Sequence, residues 1–399
     1  MIENIEGNNQ SSKRDVLMEQ IKQLDDYFYN KGIGQEGELI RYVLTYEEIL
    51  TNPNFMRNIE IVLQYQNSCV FDDITKKLKC NTIDDYCKII LCASHLEEFY
   101  NAYVTVPHNT KSIGDVRNEN GIIILEPKDY FTINAPATGS YGGRWYLLNN
   151  GTEVFIKKIR SMNEAYAELV AEQIAKQMGI PYAQYDLINI EGTTKIASIN
   201  FLEEGQELVD GTKILPDLKV KDIDSICRSF CRFLKTRYPN LSEEDIQKIK
   251  EGFLKITIFD KIIANWDRNP GNWGIIVLPN GDVKISHELD NNKALNISEY
   301  YQNYERRDMH LNNNHKLETL LEYCFNNFSN PHEFIEFIEN CRKNIDVRRA
   351  CQDIQIEKGI SIPHVEIMEM QSIVQSNGLQ QMRWWIDRIK STPGISLDE

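Results

Sequence analysis

The stretch from Asp260 to Leu295, DKIIANWDRNPGNWGIIVLPNGDVKISHELDNNKAL, can fold in few ways. Upstream and into it, Ile246, Ile249, Phe253, Leu254, Ile256, Phe259 and Ile263 recur at helical spacing, which predicts a long buried helix. Ser242 stands where an N-cap belongs, with acidic residues in the first turn behind it. Beyond the helix, Asp267 and Asn272 fall on a loop that contains proline and glycine. Trp273 to Leu278 then reads as a short apolar strand, Asn280-Gly281 as a turn, and Val283-Lys284-Ile285-Ser286 as an alternating second strand. Asp290 follows. A loop and a hairpin, braced on a buried helix, thus deliver two carboxylates and an amide.

Those residue types suit phosphoryl transfer. A loop aspartate can take the proton of an attacking hydroxyl. An amide oxygen offers a hard cation a neutral ligand, and a second carboxylate can bridge Mg²⁺ to phosphates. The order Asp-x4-Asn, hairpin, Asp is how kinase-fold enzymes assemble a catalytic base and two Mg²⁺ ligands. Asp267 is therefore the candidate catalytic residue and Asn272 and Asp290 the candidate metal ligands, with ATP and Mg²⁺ as cofactors. The plainer reading is an acidic loop that caps a helix and turns a hairpin.

Upstream, the pattern is helical from Val16-Leu17 to Leu96, with breaks at Asn52-Pro53-Asn54 and Lys79-Cys80-Asn81, and it carries no catalytic constellation. Strand-like runs such as Ile122-Ile123-Ile124-Leu125 begin near 113. Thr138-Gly139-Ser140-Tyr141-Gly142-Gly143-Arg144 reads as a glycine-rich turn ahead of a hairpin whose second strand, Val154-Phe155-Ile156-Lys157, ends in lysine. Glycines at 139, 142 and 143 let the backbone approach phosphates, and a strand lysine can reach their oxygens. Lys158 is adjacent and points to the opposite strand face. A helix over about 163–178 follows, stopped by Gly179 and Pro181. Its Glu164, Glu168 and Glu172 share one stripe, which is either a solvated face or the source of a partner for the lysine. A further hairpin around Glu191-Gly192 ends at Asn200-Phe201-Leu202. From about 219 the chain is helical apart from the 273–289 hairpin. Strands first and helices later predict an α+β, two-lobed fold: a tail over 1–14, a helical N-terminal region over 15–112, a β-rich N-lobe over 113–205 and a helical C-lobe over 206–399.

The net charge of −15 opposes non-specific binding to nucleic acid or to an anionic membrane. No apolar run approaches the roughly 20 residues of a membrane span, and the polar N-terminus lacks a signal-peptide core, so a cytoplasmic protein is expected. The nine cysteines include no zinc spacing; Cys227 and Cys231 read as core thiols on a helix.

Together TGSYGGRWYL, EVFIKKI, ELVAEQIAKQMGIPYAQYDL, NFLEEGQELV, DKIIANWDRNPGNWGI and HELDNNKAL resemble the HipA-like kinases, relatives of the protein-kinase and phosphoinositide-kinase superfamily. The resemblance covers about 137–300. It implies a kinase-like fold in which Asp267 is the catalytic Asp, Asn272 and Asp290 bind metal, and Lys157 holds the nucleotide phosphates with Glu168 as ion-pair partner. Gly139, Ser140, Gly142 and Gly143 would cover the phosphates, and Asn200, Phe201 and Leu202 would form the hinge beside adenine. It also implies an ATP- and Mg²⁺-dependent serine/threonine protein kinase with a protein substrate and an antitoxin or regulatory partner. A phosphoinositide kinase and a nucleotide-binding pseudokinase are the alternatives. The sequence departs from the family at Asn269, where a histidine is usual, and at the N-terminus, where helices replace a small β-rich subdomain.

Overall fold

The protein is described from a computed structural model, covering residues 3–50, 52–65, 69–92, 95–105, 111–133, 142–216, 222–296 and 316–391. It is an α+β chain that divides into two compact units. One comprises Met1–Asp115, Ile124–Lys158 and Asn189–Thr193; the other comprises Val116–Ile123, Ile159–Ile188 and Thr194–Glu399. Among the described residues no helix is long and apolar enough to cross a membrane.

The first unit opens with seven helices: α1 (Glu3–Asn30), α2 (Glu38–Thr45), α3 (Glu47–Leu50), α4 (Pro53–Tyr65), α5 (Cys69–Lys77), α6 (Ile83–Cys92) and α7 (Leu96–Thr105). Helix α1 starts at Glu3, where the sequence reads as a disordered tail. Its Leu17, Ile21, Leu24 and Phe28 form one buried stripe at helical spacing. Two buried polar residues fix neighbouring elements. Asp25 accepts the Gly37 and Leu39 N–H groups at 2.7 and 2.8 Å, capping α2 from outside that helix. Asn58 on α4 donates to the Ile90 carbonyl of α6 at 2.6 Å.

After β1 (Ile123–Leu125), strands β2 (Tyr130–Thr132), β3 (Arg144–Leu148) and β4 (Glu153–Lys158) form an antiparallel ladder, Phe131 opposite Leu147 and Trp145 opposite Phe155. Phe131, Ile133 and Leu147 lie in the same hydrophobic core as the helices, with Phe99 of α7 edge-on to Phe131 at 4.6 Å. The sequence separates a helical region from a β-rich lobe at 112. In the structure one core runs through both, because α7 and β2 bury their apolar faces against each other.

In the second unit, α8 (Met162–Met178) is capped by Ser161 and ends at Gly179, whose φ of +69° needs glycine. Strands β5 (Tyr185–Ile190) and β6 (Thr193–Ile199) make the expected hairpin. Then β7 (Glu207–Asp210), α9 (Gly211–Ile214), α10 (Ile223–Arg237) and α11 (Glu243–Ile262) lead to β8 (Gly274–Val277) and β9 (Val283–Ile285). Strands β7, β8 and β9 form one antiparallel sheet, Val209 opposite Ile275 and Ile275 opposite Ile285. Helix α11 has Ser242 as its N-cap, as expected, and Asp245 completes a capping box with it. Helices α12 (Leu317–Asn327), α13 (Pro331–Asn344), α14 (Val347–Lys358), α15 (His364–Ile373) and α16 (Gln380–Ser391) complete the unit. A π-turn over Val374–Leu379 lets Gly378 reach the end of α11. A β-carbon there would stand 2.9 Å from Ile262, so a side chain would push the helix end away.

Both cores hold free thiols whose burial raises their pKa, to about 12 for Cys87 and Cys227. At pH 8 roughly one such thiol in 10⁴ is a thiolate. Native protein treated with iodoacetamide at pH 8 is expected to leave Cys87 and Cys227 unmodified while the denatured chain labels at both. Native labelling at the denatured rate would contradict this packing.

Candidate active site

Helix α11 runs apolar on one stripe until Asp260, which is almost wholly buried. A carboxylate there needs an answer, and Arg268 supplies it. All five guanidinium N–H groups are used. Nε donates to both Asp260 oxygens at 3.1 and 3.0 Å, and Nη2 to Asp260 Oδ1 and Asn291 Oδ1, each at 2.8 Å. Nη1 donates to the Asn272 carbonyl at 2.7 Å and to the Leu289 carbonyl. One buried side chain therefore holds Asn272 and the residue before Asp290. The two sequence-predicted metal ligands are tied to a common post in α11.

Asn265 completes the tie. Its side chain donates to Asp260 and Asn291, both at 3.3 Å, and its Oδ1 accepts the Asp267 N–H at 3.2 Å. Ala264 takes φ +52°, the kink that turns the chain out of α11 and into the loop. Past the loop, Trp273 is buried against Phe253 and Phe230, with ring centroids 4.7 and 5.6 Å away. Asp267 and Asn272 thus lie on a loop anchored at both ends, on rigid elements.

Asn269 has a conformational job. Its Oδ1 accepts the Gly271 N–H at 2.9 Å and its carbonyl the Asn272 N–H at 3.0 Å, which caps the 3-10 turn Pro270–Asn272. An asparagine forms such a turn more readily than a histidine does, because its short side chain reaches its own backbone. The asparagine at this position therefore has a structural account.

Asp290 sits at φ +56°, a left-handed conformation that costs a non-glycine residue about 1–2 kcal/mol. Its N–H donates to the Tyr185 hydroxyl at 3.0 Å, and the next N–H, of Asn291, donates to Glu168 at 2.8 Å. Strain of this kind persists where the surroundings over-determine it.

The acidic stripe of α8 is buried, not solvated. Glu164 pairs with buried Lys293 at 2.6 Å, Glu168 holds the Asn291 N–H, and Glu172 pairs with Lys358 at 2.9 Å and accepts the Tyr185 N–H at 2.9 Å. All three glutamates thus brace the chain around Asp290, two of them through residues just beyond it and one through Tyr185. Glu288 is also wholly buried. Burial pushes its carboxyl up to about 8, against the opposing pull of Arg268 at 3.9 Å and of Asn291. Asp260, at hydrogen-bond distance, is the nearer counter-charge to Arg268. Burial opposes the Arg268 charge, yet Asp260 and Glu288 outweigh it and raise its pKa further.

Asn200, Phe201 and Leu202 follow β6, and the Leu202 N–H is held by the Asn200 side chain at 3.1 Å. Phe201 stacks on His287, with ring centroids 4.3 Å apart, which links this segment to the approach to Asp290. In the first unit, Lys157 of β4 is buried while Lys158 is exposed. Gly142 has φ +63° in open space, whereas a β-carbon on Gly143 would collide with the Phe155 ring at 2.2 Å. Packing alone thus requires glycine at 143. Gly139 and Ser140 lie outside the described residues. Among those described, no group of three or more His, Cys, Asp or Glu forms a closed metal cage. One amide and one carboxylate suit a hard cation that keeps its other positions for water and phosphate.

Sequence reasoning did not find Asp260, Asn265, Arg268, Tyr185 or Asn291. Asp260 alone left a signal: it is a charge on the apolar stripe of Ile256, Phe259 and Ile263.

No family model and no curated protein matches the sequence. Among solved structures, the chain is similar to the proinflammatory kinase CtkA of Helicobacter pylori, with TM-score 0.45 and 16% identity, covering 62% of this chain and 95% of that one. It is also similar to HipA from Shewanella oneidensis MR-1, solved with HipB and operator DNA, with TM-score 0.37 and 14% identity, covering 74% of this chain and 72% of that one.

Arg268→Ala leaves Asp260 buried without its partner, and is expected to cost about 3–5 kcal/mol in chemical denaturation. A loss below about 1 kcal/mol would mean that the pair is solvated.

Proposed function

We propose that this chain is an ATP- and Mg²⁺-dependent protein kinase of the HipA-like type that phosphorylates a serine or threonine hydroxyl. The observation that carries the reading is the Arg268 tie: one buried guanidinium bonded to the Asn272 carbonyl and to the carbonyl before Asp290. A loop that only capped a helix would have no use for a buried charge pair joining it to a second segment.

Asn272, through its side-chain oxygen, and Asp290, through its carboxylate, would hold Mg²⁺, which neutralises charge on the phosphates. Lys157 would bind the nucleotide phosphates, and Asn200 to Leu202 would flank adenine. Asp267 accepts the proton of the attacking hydroxyl. The substrate oxygen bonds to the γ-phosphorus as the bond to the β–γ bridging oxygen breaks, and ADP leaves. The net charge of −15 favours a protein over an anionic lipid surface as acceptor. The Tyr-rich run Glu299-Tyr300-Tyr301-Gln302-Asn303-Tyr304, which suits a protein docking surface by composition, lies outside the described residues. The Shewanella HipA was solved with HipB; a regulatory protein partner belongs to the same proposal here.

The purified chain, incubated with γ-labelled ATP and Mg²⁺ in cell lysate and with phosphatidylinositol vesicles, is expected to label protein serine or threonine and little lipid. Asp267→Asn should lower turnover by roughly 10²–10⁴-fold with nucleotide binding kept, since a general base acts at the chemical step. Label on lipid alone would favour a phosphoinositide kinase. ATP binding without transfer to any acceptor would favour a pseudokinase.

A further inference from the structure

We propose that the outer edge of β2, in the first unit, is a strand-addition site for an extended peptide of a partner protein. That peptide carries apolar side chains at alternate positions and an acidic side chain among the others. Among the described residues, strand β2 is the last strand of its sheet. The Ile133 N–H donates to the Trp145 carbonyl and the Asn149 N–H to the Asp129 carbonyl, both at 2.9 Å. Residues 129 and 133 therefore face β3 through their backbone, and so does 131. By the alternation of an antiparallel ladder, the N–H and C=O groups of Tyr130 and Thr132 point away from β3, to the open edge. An edge of this kind is a ready template for another strand.

A cleft of about 520 Å³ lies along that edge, with Tyr130 and Thr132 both in its lining. The volume is in the range of about 300–1,000 Å³ typical of ligand sites. Leu78 and Ile89, from the helical side, give it an apolar wall. A strand laid on β2 would turn alternate side chains to that wall and the rest outward.

Charge selects the occupant. Four ionisable side chains besides His95 and the tyrosine and cysteine line the cleft: Asp85, Lys88, Arg144 and Glu191. Asp85 is engaged in capping α6, accepting the Asn81 and Thr82 N–H groups at 3.0 Å each. Lys88 pairs with Asp84 at 2.7 Å. Arg144 is exposed and has no hydrogen-bond or ion-pair partner among the described residues. Its fork matches a carboxylate. Glu191, within electrostatic reach of Tyr130 and of Tyr146, disfavours an acidic residue on its side of the cleft, which leaves the Arg144 fork as the carboxylate's anchor.

The probe is a labelled, blocked heptapeptide alternating threonine and valine, with one glutamate at a threonine position, titrated into the full chain. Two copies with N-methyl groups on alternate backbone amides, offset by one residue, read the edge directly. One copy is expected to bind at least about tenfold more weakly and the other as the parent, since only one set of amides meets β2. Exchange of glutamate for lysine should weaken binding about fivefold, although a chain of charge −15 attracts the lysine peptide non-specifically. Arg144→Glu should reverse that preference. Amide hydrogen exchange over residues 127–133 should slow with the parent peptide bound. Equal affinity of both methylated copies, unchanged exchange at saturation, or no saturable binding up to roughly millimolar concentration would each overturn the proposal.

Discussion

The Arg268 guanidinium is withdrawn from water, and its surroundings are shaped by the need to satisfy five N–H groups and one charge. Asp260 on α11 supplies the charge and three of the contacts. The remaining donors go to the Asn272 and Leu289 carbonyls and the Asn291 side chain. A buried pair of this kind adds little net stability beyond an apolar substitute, but breaking it is costly. Its return is positional: Asn272 and Asp290, on segments separated by a hairpin, cannot drift relative to α11 without stranding a charge.

The α8 glutamates act on the same problem from the other side. Glu168 holds the Asn291 N–H, Glu164 holds Lys293, and Glu172 holds Tyr185, whose hydroxyl accepts the Asp290 N–H. The left-handed backbone at Asp290 is thus fixed before and after by groups that are themselves buried. A backbone held in one conformation leaves less to order when a cation arrives.

Much of this was legible in the sequence because local chemistry fixed it. Ser242 with Asp245, Asn280-Gly281, and Gly179 after Met178 name their helix cap, hairpin and helix stop by mechanism, and each is where the pattern put it. The acidic stripe of α8 was read only as a choice between solvent and a lysine. Among its partners are Asn291, Lys293 and Lys358, which lie far along the chain, and no periodicity encodes which distant segment a buried glutamate meets. Arg268 was hidden for the same reason, since an arginine on a polar loop has no local mark of burial. The division at 112 also did not anticipate a shared core, because the burial of Phe99 against Phe131 depends on tertiary packing.

We propose that Asn272 and Asp290, positioned by one buried arginine, form a single divalent-cation site for a nucleotide. Calorimetric titration of ATP into the full chain, with and without Mg²⁺, tests it most directly. The account predicts that Mg²⁺ strengthens ATP binding at least about tenfold, and that Asn272→Ala and Asp290→Ala each remove most of that gain. The double variant should lose little more than either alone, as expected of two ligands acting on one ion. ATP binding that is indifferent to Mg²⁺ in the unsubstituted chain, or additive losses from the two substitutions, would contradict it.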